Sequence, residues 1–230
     1  MFNSKHYVPI LKWKRAEQRA LKVLEVKYKK EITPLIQFVM PTQTPKDNLA
    51  SLIAKFEGKV ADIPDKIIEI LGKEPIFIDV SLLFSTSLKT KSLSEIIRLG
   101  YKQGGCFIPT IHLNDEEQLR KAAFSIAKES KSGLCLRLIC PDFDQMDTLG
   151  NAIAKFLASS NLTEKNIDLV VDIKEIHAGD GKCEKYIKLS QEIPVLSKWR
   201  TFAFASGSFP ENLGNCRFDE ENLIPRTGWN

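Results

Sequence analysis

The chain has 230 residues, 43% of them hydrophobic and 27% charged, with a formal net charge of +4. That is apolar material enough for one large α/β domain spanning 1–230, and a charge too mild for a binder that relies on bulk basicity, although it permits phosphate or nucleic-acid contact. No window approaches the roughly 18 consecutive apolar residues of a membrane span, and the opening MFNSKHYVPILKWKR meets charge too early for a signal peptide, so a cytoplasmic protein without membrane contact is expected.

Seven short apolar runs recur, at 7–14, 32–39, 75–82, 106–112, 133–139, 167–173 and 200–210. They read as strands. Between them lie helical patterns. Residues 15–30 carry Ala20, Leu21, Leu24 and Tyr28 at helical spacing. Two helical segments, 46–57 and 63–71, precede the third strand. In 92–101, Ser92 and Glu95 have the spacing of a capping box. In 114–130, Asn114 reads as an N-cap followed by Asp115, Glu116 and Glu117, which suit the helix dipole. Further helices are expected at 147–160 and 183–189. Repeated β-α units build parallel sheets with the site at the carboxyl ends of the strands. Seven strands at near-regular spacing favour a TIM-barrel-like parallel barrel over a flat doubly wound sheet. The eighth unit is incomplete or short: only 211–230 follow, with Ile224–Arg226 as the remaining strand candidate.

Five cysteines are scattered without a CxxC pair, which reads as buried reduced thiols rather than disulfides or a zinc site. No Walker loop, GxGxxG, HExxH or EF-hand loop is present.

Strands buried on both faces of a parallel sheet should be continuously apolar. Each polar residue inside one therefore needs a reason. Lys12 and Lys14 share a face of the first strand, and Gln37 ends the second. Asp79 and Ser81 share a face of the third, Thr110 and His112 of the fourth. Arg137 is central in the fifth, Asp172 and Lys174 share a face of the sixth, and Ser206 and Ser208 of the seventh. Arg226 lies where an eighth strand belongs. Pointing inward, they converge on one mouth. Lys12, Lys14, Gln37, Arg137, Ser206, Ser208 and Arg226 would bind an anionic ligand, phosphate above all. Asp79 and Asp172 would hold a divalent metal such as Mg2+ or act as acid and base, and His112 would assist proton transfer. The competing interpretation is a structural salt-bridge network that plugs the barrel. His177 and the Gly179-Asp180-Gly181 turn follow the sixth strand and read as a hydrogen-bonded side chain and a solvated turn. Trp13 alternates with Lys12 and Lys14, so it should pack outward under a helix; its cationic neighbours also suit nucleic-acid stacking.

The stretch Tyr7-Val8-Pro9-Ile10-Leu11-Lys12-Trp13-Lys14-Arg15-Ala16-Glu17 resembles the start of the beta protein family, named for a bacteriophage T4 protein, with Ala16 where its members have Gly. In order along the chain, Ile32-Thr33-Pro34-Leu35-Ile36, Phe77-Ile78-Asp79, Ile108-Pro109-Thr110, Arg137-Leu138, Val171-Asp172, Ala205-Ser206-Gly207-Ser208-Phe209-Pro210 and Ile224-Pro225-Arg226-Thr227-Gly228-Trp229 resemble later family segments. The resemblance implies a barrel-like fold and a bacteriophage or antiphage-defence setting, and it names no reaction. The family's recurring polar positions fall on the strand-end residues above. Its members continue beyond the last segment, which implies a shortened final unit here.

Three functions follow as expectations. The first is a protein that binds a phosphorylated ligand or nucleic acid at the mouth, with metal-assisted hydrolysis as its chemistry. The alternative is a non-catalytic interaction or inhibitor module with a protein partner, or a homodimer through the unfinished barrel edge. A sugar-active enzyme comes third, because few aromatics are placed at the mouth for ring stacking.

Overall fold

The computed structural model describes residues 6–144, 146–176, 179 and 181–207. Apolar strands and amphipathic helices alternate as their periodicities require: β1 (Ile10–Lys12), α1 (Arg15–Val23), α2 (Val26–Lys29), β2 (Leu35–Gln37), α3 (Leu49–Val60), α4 (Ile63–Leu71), β3 (Ile76–Asp79), α5 (Thr86–Lys102), β4 (Phe107–Ile111), α6 (Glu117–Ser130), β5 (Leu134–Ile139), α7 (Met146–Ser160), β6 (Ile167–Glu175), α8 (Lys182–Gln191) and β7 (Thr201–Gly207). All neighbouring strands pair in parallel, in the order β1-β2-β3-β4-β5-β6-β7. The result is a nearly closed barrel ringed by helices. Among the described residues, β1 and β7 are its two edges. The candidate eighth strand, Ile224–Arg226, lies outside the described residues.

Strand alternation sorts the side chains into two cores. One set faces the helices: Ile36, Ile76, Ile78, Phe107, Ile111, Leu134, Leu136, Leu138, Leu169, Val171 and Ile173. The other fills the lower barrel: Val8, just before β1, and Leu35, Phe77, Ile108, Cys135 and Val170, one from each of β2 to β6. Gly100 of α5 sits so close to β4 that a Cβ there would meet the Phe107 ring at 2.3 Å. That contact explains a glycine inside a helix, where it otherwise costs stability.

Several local expectations change. The first strand ends at Lys12, because Lys14 N–H turns back to the Lys12 carbonyl at 2.7 Å and Lys14 becomes the N-cap of α1. The helix expected over 15–30 breaks at Leu24, which is extended (φ −65°, ψ 130°). The break lets Lys29 Nζ reach the Ile70 carbonyl at 2.6 Å and satisfy the C-terminal turn of α4. The helix read from Ser92 starts earlier: Ser85 is the N-cap and accepts from the Leu88 N–H, while Ser92 is buried inside α5. Asn114 is not an N-cap, since α6 begins at Glu117 without a side-chain cap. Conversely, Asn48 and Ser51 form a reciprocal capping box at the start of α3. As its alternation predicts, Trp13 packs outward, edge-on to Phe38 at 6.5 Å between centroids.

The lower end of the barrel is tied by a part-buried ion pair. Arg200 donates to both oxygens of Asp168 (Nε 2.9 Å, Nη2 2.5 Å) and to the Ser132 carbonyl at 2.8 Å, and Thr201 Oγ1 donates to Asp168 at 2.7 Å. This pair lies at the amino ends of β6 and β7, the face of such barrels that serves stability.

Candidate functional site

The register shows how distant strand residues meet. Lys12, Gln37, Asp79, Thr110, Cys135, Asp168 and Thr201 form one hydrogen-bonded row. In a closed parallel barrel the strands tilt, and the stagger is about one residue per strand. The row therefore descends from the mouth at β1 to the floor at β7. Residues two further on, two strands away, recover the lost height. Asp79 and Arg137 thus share a layer, Gln37, His112 and Asp172 lie just above it, and Lys12 is higher still. Thr110 and Cys135 fall below.

Arg137 is the centre of this cluster. Its side chain is 1% exposed, between Asp79 at 0% and Asp172 at 4%. Nη1 donates to Asp79 Oδ2; Nη2 and Nε (3.2 Å) donate to Asp172 Oδ2. Gln37 Nε2 donates to Asp79 Oδ2 at 3.2 Å, and the Ser81 N–H donates to Oδ1 at 2.7 Å. Lys174 holds Asp172 at both ends: its N–H donates to Oδ1 at 2.9 Å and its Nζ to Oδ2 at 3.0 Å. It can do so because it occupies a left-handed conformation, φ 60°, in the irregularity between Asp172 and Glu175. A lysine in that region carries backbone strain of a kind found at functional sites.

Electrostatics follow from these contacts. Burial pushes the Asp79 and Asp172 carboxyls up, but the Arg137 charge, aided by His112 and Ser81 at one and Lys174 at the other, brings both below the ordinary carboxylate value. Both stay ionised at neutral pH, so the pair lacks the protonated member that glycoside hydrolysis needs. The cation between them is a guanidinium, in the place where the sequence suggested a metal. Among the described residues, no group of three or more His, Cys, Asp or Glu side chains is arranged to hold a metal ion.

His112 follows β4, its N–H tied to Asp115 Oδ2 at 2.8 Å. Burial lowers its pKa against the opposing pull of Asp79 and Asp115, so the ring is neutral at pH 7. Neither ring nitrogen has a partner, and Glu17 Oε2 is likewise buried and unpartnered. A group whose folded-state pKa is depressed resists the proton that the unfolded chain takes up. Stability is therefore expected to fall as pH drops below about 6.5, by ~1.4 kcal/mol per unit of depression. Thermal midpoints of the parent and His112→Asn between pH 7 and pH 5 test this. The variant should show the shallower slope, with His6, also depressed by burial, supplying part of the remainder. Equal slopes would refute it.

A cavity of about 1300 Å³ runs along the β1–β7 side and reaches this cluster. Lys12, Gln37, Arg137, Asp172 and Ser206 line it, joined by Glu17 and Lys174; Asp79 and His112 do not line it. Ser206 has the parity of Phe204, whose ring packs toward the helices, so it belongs to the rim of β7 rather than to the interior layers. Lys14 is not at the mouth. Beyond the end of β1 it faces a different cavity, of about 460 Å³, with Trp13 and Arg15. Ser208, Arg226, His177 and Asp180 lie outside the described residues. Sequence reasoning passed over Glu17, though it stands in the YVPILKWKRAE stretch, five positions after Lys12.

The family model described as Beta protein matches residues 7–230. No curated protein matches the chain. Among solved structures it is similar to the endo-beta-N-acetylglucosaminidase from Cordyceps militaris in apo form, with a TM-score of 0.48 and 12% identity over 86% of this chain and 70% of that one. Among the described residues, no helix is long and apolar enough to cross a membrane.

Proposed function

The chain belongs to the Beta protein family, and on that footing we propose that it binds a phosphorylated small molecule at the carboxyl-end mouth of its strands. One observation carries this reading: buried polar groups at the mouth have no partner of their own. A network that served stability alone would satisfy its members. Here Glu17 Oε2, in the cavity lining, has no partner, nor have His112 Nδ1 and Nε2, which lie behind that lining. Glu17 Oε2 and the unprotonated ring nitrogen suit hydroxyl or amino donors of a ligand, and the ring N–H suits an acceptor oxygen. Lys12, on the inward face of β1, and Arg137, with N–H groups uncommitted to the two carboxylates, suit its phosphate. With both carboxylates held ionised, neutral His112 is the mouth's proton acceptor should the ligand be hydrolysed.

A thermal-shift panel tests the proposal with ATP, glucose 6-phosphate, pyrophosphate and inorganic phosphate, each with and without Mg2+. A ligand at 100 times its dissociation constant adds about 2.7 kcal/mol. The expected result is a clear shift with at least one phosphate ester, reduced in Lys12→Ala and in His112→Asn. No shift with any, or a shift untouched by both variants, overturns it.

A second reading rests on a different observation. The backbone edges of β1 and β7 are unpaired among the described residues, and Tyr7 and Phe202 beside them are exposed. Such an edge suits strand pairing with a partner protein or a second copy. Light scattering across a concentration series distinguishes a dimer from a monomer.

A further inference from the structure

The smaller cavity, of about 460 Å³, is of ordinary size for a small-ligand site. It lies outside the barrel, enclosed by the start of α1, the segment after β2, the end of α3 and the start of α4. Its floor is the part-buried Trp13, backed by the buried Phe38 and Phe56. Its rim is cationic: Lys14, Arg15, Lys59 and Lys66 line it, and no carboxylate does. Among the described residues none of the four is in an ion pair. Two helix N-termini open onto it. α1 begins at Lys14 and Arg15, α4 at Ile63, and neither N-cap makes a side-chain capping hydrogen bond. Uncapped amides at the positive end of a helix dipole favour an anion. Glu17 in the first turn of α1, and Asp62, Asp65 and the N–H-less Pro64 at the start of α4, offset the helix ends, so the four unpaired cations of the lining carry the preference for an anion. The aromatic floor calls for a flat apolar body on that anion. Gln18 and Thr42, also in the lining, offer hydrogen bonds that a heterocyclic ring can use and an acyl chain cannot.

We propose that this cavity is a second ligand site, taking a phosphate ester with a flat heteroaromatic body, the chemistry of a nucleoside monophosphate. The phosphate sits among Lys14, Arg15, Lys59 and Lys66; the ring lies against Trp13. The site is independent of the mouth and stands or falls without it.

The test is calorimetric titration of the full chain with AMP at low salt, with adenosine and ribose 5-phosphate as half-ligands. AMP should bind at least about tenfold more tightly than either half. Lys59→Ala/Lys66→Ala changes only exposed side chains and should weaken AMP at least about tenfold, while Lys128→Ala, an exposed lysine of α6 that lines neither cavity, leaves it unchanged. The absence of AMP binding overturns the proposal. So does ribose 5-phosphate binding as well as AMP, which removes the role of the ring. So does loss of binding in Lys12→Ala with Lys59→Ala/Lys66→Ala unaffected, which assigns the ligand to the mouth.

Discussion

Replacing Arg137 with Met is expected to cost about 3–5 kcal/mol, because it leaves two buried carboxylates without their shared cation. In a chain of this size that is a fall of roughly 10 °C in thermal midpoint. Asp79 and Asp172 are 0% and 4% exposed, so water cannot take the guanidinium's place. The loss should depend on pH in a diagnostic way. With Arg137 present, both carboxyls sit below their ordinary value, and their contribution is complete above about pH 4, fading as pH falls further. Without it, burial dominates and their pKa values rise. The folded state then takes up protons as pH falls, and the gap between parent and variant narrows toward pH 5. Removing the stranded charges as well, in Arg137→Met/Asp79→Asn/Asp172→Asn, should recover much of the loss. A loss below about 1 kcal/mol that does not vary with pH would contradict this account.

The second large effect lies one turn of the pleat below. Phe77→Ala should cost about 3–5 kcal/mol. Phe77 is 0% exposed and packs in the barrel interior with Val8, just before β1, and with Leu35, Ile108, Cys135 and Val170, each from a different strand. Truncation opens a void that five strands and the segment before β1 bound and that backbone hydrogen bonding prevents from collapsing. Phe202→Ala is the control: its ring is 38% exposed on the edge strand, and the change should cost far less. Urea denaturation measures both, with unchanged m-values expected if only native packing is affected. Equal costs would mean that the interior layer is not the tight core described.

Much of the barrel was legible because strands and helices differ in period, and β-α alternation leaves few topologies open. The inward face was legible from parity. Gln37, Asp79, Thr110, Arg137 and Asp172 each interrupt an apolar strand on the interior side, and each lies there. Lys14 shows where this reasoning stops. It has the right parity after Lys12, but the strand ends two residues earlier, and a side chain beyond the end of a strand no longer obeys the alternation. Ser92 and Asn114 fail for a related reason. Capping spacings recur by chance, and whichever cap lets a helix bury its apolar stripe wins, as Ser85 does for α5.

The sequence by itself determined the unit of construction, the seven described strands and the inward face of β2 to β6, since these depend only on local periodicity and on the cost of burying polar groups. Tertiary structure decided the rest. The oblique stagger of the barrel brings Asp79 and Arg137, 58 positions apart, to one height, and places Asp172 against the same guanidinium. Strand height is a property of the closed sheet, written in no single segment. The cationic cavity behind β1 has the same origin: its residues come from four separate elements, and only the packing of α1 and α4 against the strands joins them.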